Sequence, residues 1–298
     1  MKQILRNAFI FAVLAFTFAS EDQLWAEPNS SNPSFDIHTH LFSPEAAKKV
    51  GEPVVTAETI ITQIDQAGIS SAAIYSDAYF FEERAAAMRE NNFLAAEVAK
   101  FPKRLIGFCS VNLKMTWIIE EVERCAKVLK MRGLKLHPQA NGLDLRDPKT
   151  LSLIPPILEK AGELGLPVVF DSVWMDSRIT LEMIKIIVRF PKTKVILAHS
   201  LFKDYRDLSI AALLYQMNSE VPRNIYVDLS AISIFYADSP ERENLVWHLR
   251  QFGIDRVLMG SDYPAFTPID TLNALRKLPF TEAEITAITS RNASSLFN

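Results

Sequence analysis

The sequence predicts a (β/α)8 barrel, and three observations predict it. From residue 35 onward, eight short apolar or β-branched runs alternate with eight segments of helical period. Such strict alternation requires a parallel sheet with helices packed outside it, and eight repeats in about 260 residues fit a closed barrel better than an open doubly wound sheet. An open sheet would also need a phosphate-binding glycine loop after its first strand. This chain has His38-Thr39-His40-Leu41-Phe42 there, and 9 glycines in all.

In chain order, the first strand is 35–40. Residues 56–67, closed by Gly68, form a helix that leads into strand 71–76. Helix 82–100, which ends before Pro102, leads into strand 105–111, and helix 117–130 leads into strand 133–137. Helix 154–164, closed by Gly165, precedes strand 167–171, and helix 180–189, ended before Pro191, precedes strand 194–199. Helix 208–217 leads into strand 224–229. The next helix opens at Ser239-Pro240-Glu241, a Ser cap with Pro at the first helical position, and closes at Phe252-Gly253 before the last strand, 256–260. Thr281-Glu282-Ala283-Glu284 is a capping box and opens the final helix.

The bulk composition agrees with one large core. Of 298 residues, 49% are hydrophobic and 22% charged, which is the make-up of a globular enzyme-sized chain and leaves no room for disorder as an explanation. The formal net charge of -3 and the scatter of Lys and Arg exclude the basic footprint of nucleic-acid binding. At the N-terminus, Lys2 and Arg6 precede an uncharged apolar stretch, 8–19, followed by Glu21-Asp22. That is the layout of a signal peptide, with cleavage after Ala19 or Ala26. The predicted organisation is therefore a leader over 1–26, a polar lead-in, and one barrel domain over 34–298. Export to the periplasm or beyond follows, with no stable membrane insertion once the leader is removed. An uncleaved anchor is the weaker alternative, because a spanning helix needs about 20 apolar residues. The two cysteines are expected by default to be buried free thiols, with a Cys109–Cys125 disulfide as the alternative that nothing in the sequence supports: Cys109 lies in an apolar strand, and Cys125 continues the helical stripe Ile118, Val122, Leu129.

The chemistry gathers at strand ends. Side chains alternate along a strand, so His38 and His40 share a face, about 6 to 7 Å apart, near enough to turn both imidazoles onto one ion. Four of the five histidines, His38, His40, His137 and His199, stand where an apolar run gives way to polar residues; His248 lies in a helix and is expected to pack there. In a (β/α)8 barrel the active site forms at the C-terminal ends of the strands. Those ends carry His38, His40, Asp77, His137, Asp171, His199 and Asp262. Imidazoles and carboxylates converging on one rim are the donors that zinc or manganese accepts. Lys135 precedes His137 by two residues and so points inward, where an ammonium needs a carboxylate partner.

This set of residues resembles the metal-dependent amidohydrolase superfamily, in its amidohydrolase-related branch of hydrolases, lactonases and decarboxylases, from about residue 35 to the C-terminus. His38-Thr39-His40 is similar to the metal pair of the first strand, and Gly133-Leu134-Lys135-Leu136-His137-Pro138 to a fourth-strand segment. Ile196-Leu197-Ala198-His199 is similar to the sixth-strand histidine motif, and Gly260-Ser261-Asp262-Tyr263-Pro264 to the aspartate motif of the eighth. The resemblance implies one divalent ion, zinc or manganese, on His38, His40, Asp171 and Asp262. It also implies a small-molecule amide, ester or lactone substrate, attacked by a metal-activated water with Asp262 as general base and His199 steadying the oxyanion.

One position departs from the family pattern: Asp171 stands where a histidine usually ligates the metal. Aspartate also binds divalent ions, so the site stays sound but becomes more anionic. His137, Trp174 and Arg178 are expected to contact substrate, the last two from the loop after the fifth strand. Two other readings stay open. One is decarboxylation of an aromatic or unsaturated acid, which needs a cation beside the metal, with Arg178, Lys203 or Arg206 as candidates; the other is a metal-free barrel acting as a binding protein. The partner expected is a small-molecule substrate, and a homo-oligomer is compatible with the sequence.

Overall fold

The computed structural model describes residues 33–173 and 175–297. Eight parallel strands follow one another around a single sheet: β1 Phe35–His40, β2 Ser71–Tyr75, β3 Leu105–Ser110, β4 Gly133–Leu136, β5 Val168–Phe170, β6 Val195–Leu197, β7 Ile225–Asp228 and β8 Val257–Leu258. The residues after β8 bring the sheet back to β1. Ile37 N–H donates to Met259 O at 2.9 Å, Asp262 N–H to His38 O at 2.8 Å and His40 N–H to Tyr263 O at 2.8 Å. This is the predicted barrel. The ladder after β1 ends one or two residues short of the predicted strand ends, so the polar residues that terminate each run sit in the rim loops.

Ile37, Ala73, Tyr75, Phe108, Val169, Ile196, Tyr226 and Leu258 fill the barrel interior, which Ala293, Leu296 and Phe297 close from below. Gly133 is required on β4 because a Cβ there would lie 2.2 Å from the Phe108 ring. The pairing register of β1 with β2 shifts between Asp36 and Thr39. Such an irregularity re-aims side chains. It lets Ile37 join the interior packing while His38, the next residue, also reaches the axis.

Helices cover the outside. Ala57–Gln66, Arg84–Lys100, Ile118–Lys127, Ile154–Glu163, Ser177–Ile187, Leu208–Met217, Arg242–Phe252 and Glu282–Thr286 stand where helices were predicted, with shifted ends. Ser177–Ile187 starts three residues early because Asp176 caps it, accepting from Ile179 N–H. Pro44–Val50 and Pro268–Lys277 were not predicted, although Ser43 and Thr267 cap them and each has proline in its first turn. Among the described residues, no helix is long and apolar enough to cross a membrane. The leader reading, residues 1–26, lies outside the described residues.

The free-thiol expectation is overturned. Cys109 on β3 and Cys125 on helix Ile118–Lys127 form a disulfide, with a Cα–Cα distance of 6.2 Å. The stripe that buries Cys125 is the face turned to β3, so burial and pairing are compatible. Closing a loop of 16 residues is worth about 3 kcal/mol. Reduction, or Cys125→Ser, is therefore expected to lower the melting temperature by roughly 5 to 10 °C in a circular-dichroism melt. An unchanged melt would show that the bond carries no stability.

Candidate active site

The rim gathers two linked groups of side chains. In the first, His38 Nε2 and His40 Nε2 lie 3.4 and 3.2 Å from the same atom, Asp262 Oδ1. All three ligand atoms fall within 4.8 Å of one another. Asp262 adopts φ +66°, which aspartate tolerates better than most residues, and its N–H is bonded to His38 O. Gly260 makes room for the arrangement, since a Cβ there would lie 2.8 Å from His38 Cβ.

The second group surrounds Asp171. Its Oδ2 lies 3.5 Å from Lys135 Nζ and 3.7 Å from both His137 Nε2 and His199 Nε2. The Lys135 side chain is fully buried (0% exposed), and its Nζ is also 3.4 Å from His38 Nε2 and 5.2 Å from the centre of the Tyr75 ring. Lys135 thus joins the two groups. Burial works against charge on Asp171, but His137, Lys135 and His199 outweigh it and hold the carboxyl well below its usual range. Burial likewise opposes ionisation of Asp262, and His199, His40 and His38 more than offset it. Burial, helped by the charges of Lys135, His40 and His199, pushes His137 down to about 4 although Asp171 pulls the other way. His38 also falls to about 4, through burial and the Lys135 charge. His199 rises to about 9 despite burial, because Asp262 and Asp171 face it.

His199 is presented by an unusual backbone. The strand stops at Leu197, and His199, Ser200, Leu201 and Phe202 have φ of 58°, 49°, 66° and 49°. Each left-handed non-glycine residue costs roughly 1 to 2 kcal/mol, so this turn must be clamped. Asp228 Oδ1 accepts from His199 N–H at 3.0 Å, Ser200 Oγ donates to Asp228 O at 2.6 Å, and Ser172 Oγ donates to Ala198 O at 2.5 Å. The sequence reads as strand up to His199 and contains no glycine to mark the turn.

His38, His40, Asp262, His137, Asp171 and His199 are thus brought to one rim. Asp171 keeps company with Lys135, His137 and His199, and is not a member of the group that His38 and His40 form with Asp262. Trp174 lies outside the described residues. Arg178 is exposed on the first turn of helix Ser177–Ile187. The other two cations considered for holding a carboxylate are bound on the surface, Lys203 by Asp204 and Arg206 by Glu241. The buried cation of the site is Lys135 instead. His248 packs against Tyr205 and Trp247, as expected.

Sequence reasoning missed Asp228 and Ser230. Asp228 lies fully buried at the end of β7, with Oδ2 3.0 Å from His38 Nδ1. Ser230 Oγ donates to Asp228 Oδ1 and lies 2.9 Å from His199 Nδ1 and 3.2 Å from His38 Nδ1. The available signal was periodicity: Asp228 continues the inward face of Tyr226, and a carboxylate on such a face needs a partner.

Two imidazoles and a carboxylate held anionic fit a divalent ion in donor type and in spacing. His38, His40 and Asp262 are the residues that would hold it. A parallel eight-stranded barrel with such a cluster on its C-terminal rim is the architecture of a metal-dependent barrel enzyme. The sequence pattern of the amidohydrolase family matches residues 35–298, and the chain belongs to that family.

Solved structures of the same fold include a 5-carboxyvanillate decarboxylase from Novosphingobium aromaticivorans, complexed with manganese and a nitrobenzoic acid. It is 16% identical with a TM-score of 0.66, over 90% of this chain and 97% of that one. A 2,6-dihydroxybenzoate decarboxylase from Rhizobium is 17% identical with a TM-score of 0.68, over 89% and 98%. A probable 2-pyrone-4,6-dicarboxylic acid hydrolase from Acinetobacter baumannii is 17% identical with a TM-score of 0.64, over 89% and 98%.

Proposed function

We propose that the protein is a metal-dependent decarboxylase of a small aromatic or unsaturated carboxylic acid. The observation that carries this reading is the buried Lys135, 3.5 Å from Asp171 and 3.4 Å from His38, which sets an ammonium beside the His38, His40 and Asp262 cluster. Adding a divalent ion turns a slightly negative group of side chains into a net positive one, suited to an anionic substrate. The decarboxylases among structures of the same fold favour the same choice.

A bound divalent ion supplies Lewis acidity that polarises the substrate oxygens. The protein supplies orientation and the proton. His199 Nδ1 is engaged by Ser230, and Nε2 faces Asp171, so the ring is held from both sides with Nε2 at the rim. The bond from the substrate carbon to its carboxyl group breaks and the electron pair stays on that carbon. The carbon takes a proton from His199 Nε2, and carbon dioxide leaves. Asp171 keeps the imidazole aimed and is not itself consumed.

The second reading is hydrolysis of an amide, ester or lactone, with Asp262 taking the proton of the attacking water. It is favoured by the placement of Asp262 against both histidines and by the hydrolase among structures of the same fold. Manganese-loaded protein tested on 5-carboxyvanillate, 2,6-dihydroxybenzoate and 2-pyrone-4,6-dicarboxylate separates the two. Carbon dioxide release from an aromatic acid is expected, lowered at least about 100-fold by His199→Gln. Lactone opening with no carbon dioxide from any acid would establish the hydrolase instead. The barrel is proposed to act outside the cytoplasm, a reading supported by the disulfide, which persists in oxidising compartments.

A further inference from the structure

The two histidines of the His38-Thr39-His40 segment are each backed by a carboxylate on the nitrogen that faces away from Asp262. His38 Nδ1 lies 3.0 Å from Asp228 Oδ2, and His40 Nδ1 lies 3.8 Å from Asp77 Oδ1. Both carboxylates are buried, Asp228 on β7 and Asp77 just past β2. Both Nε2 atoms converge on Asp262 Oδ1. We infer that Asp228 and Asp77 are positioning residues: they hold the two imidazoles in the tautomer with the hydrogen on Nδ1, leaving both Nε2 atoms unprotonated and able to ligate a divalent ion, which at His38 displaces the Lys135 ammonium. This rests on the reading of His38, His40 and Asp262 as the metal-holding group.

The hydrogen-bond inventory around Asp228 leaves no other assignment for His38. Asp228 Oδ1 is occupied by three donors, the N–H groups of His199 and Ser230 and the Ser230 hydroxyl. Oδ2 is left for His38, and a carboxylate only accepts, so the hydrogen must sit on Nδ1. The Ser230 hydroxyl, having donated to Asp228, can only accept from His38 Nδ1 at 3.2 Å, which demands the same tautomer. Asp228 also clamps the left-handed turn that presents His199. One carboxylate therefore couples the aim of the first histidine to the placement of the proton-bearing one. Asp77 is the looser partner, since neither of its oxygens has a hydrogen-bond partner within normal distance. Backing carboxylates of this kind are worth 10- to 100-fold in metal affinity in general.

Asp228→Asn is the discriminating change. Its side-chain oxygen can still accept from His199 and Ser230 N–H, but the amide nitrogen then meets His38 Nδ1 donor against donor. The ring must move its hydrogen to Nε2 and lose the lone pair there.

The experiment uses the full chain and two readouts. Nitrogen NMR of the imidazoles in metal-free protein is expected to show the Nδ1-H tautomer at His38, switched to Nε2-H in Asp228→Asn. Manganese affinity, measured by competition with a chelator, is expected to fall 10- to 100-fold in Asp228→Asn and less in Asp77→Asn. An Nε2-H tautomer at His38 in the parent protein, or an unswitched tautomer in a folded Asp228→Asn, overturns the proposal. Should Asp228→Asn fail to fold, the parent tautomer and Asp77→Asn still decide. If the parent binds no manganese, the metal reading fails on its own while the tautomer result stands apart from it.

Discussion

Asp262→Asn is expected to weaken manganese and zinc binding by at least about 100-fold, or some 2.7 kcal/mol. The substitution keeps size and the left-handed backbone at φ +66°, since asparagine tolerates that region as aspartate does. It keeps the N–H bond to His38 O as well. What it removes is the single negative charge placed between the two imidazoles, at 3.4 and 3.2 Å. Two neutral nitrogens remain as donors, and a hard divalent ion prefers an anionic oxygen beside them. Isothermal titration calorimetry with each metal measures the loss. Unweakened binding would move the ion to the other cluster the structure offers, His38, His199 and Asp228, whose ligand atoms also lie within 4.8 Å of one another. Asp262→Asn thus tests the location of the ion, while Asp228→Asn tests how the histidines are aimed at it.

Much of this architecture was legible before any coordinates. Strand and helix alternation gives the barrel because periodicity is a local property, and strand-end residues reach one rim because the fold puts all eight ends there. That reasoning puts His38, His40, His137, Asp171, His199 and Asp262 on one rim, where the structure also has them. What stayed hidden depends on contacts distant in sequence. The role of Asp228 needs the 190-residue separation from His38 to be closed, and nothing within β7 announces it. The left-handed turn at His199–Phe202 is imposed by Asp228 and Ser172 from neighbouring strands against the preference of its own residues. The Cys109–Cys125 bond needed the helix to be seated on β3. Asp171 was placed correctly on the rim, but its partners were not foreseen. Lys135 sits closer to it than any histidine does, and that places a cation at the centre of the group.

Lys135→Met should act in opposite directions on stability and on metal affinity. Methionine keeps most of the side-chain volume within the barrel, where Lys135 is fully buried, and deletes the ammonium. Asp171 then loses its nearest cation and keeps His137 and His199 at 3.7 Å. Breaking a buried ion pair on one side costs about 3 to 5 kcal/mol, and the surviving imidazoles place this case near 3. Removing both members should recover most of that cost, so Lys135→Met with Asp171→Leu is expected to melt within a few degrees of the parent in the presence of EDTA. The metal effect runs the other way. Lys135 Nζ lies 3.4 Å from His38 Nε2, the atom a divalent ion would use, so the ammonium competes with the ion for that lone pair and repels it. Deleting it is expected to tighten manganese binding by roughly tenfold or more, about 1.4 kcal/mol per decade. A destabilised variant with tighter metal binding has no explanation in general damage to the barrel. Weaker binding in Lys135→Met would instead mean that the ammonium supports the ion's ligands, and Lys135 would have to be redrawn as part of the metal-holding group.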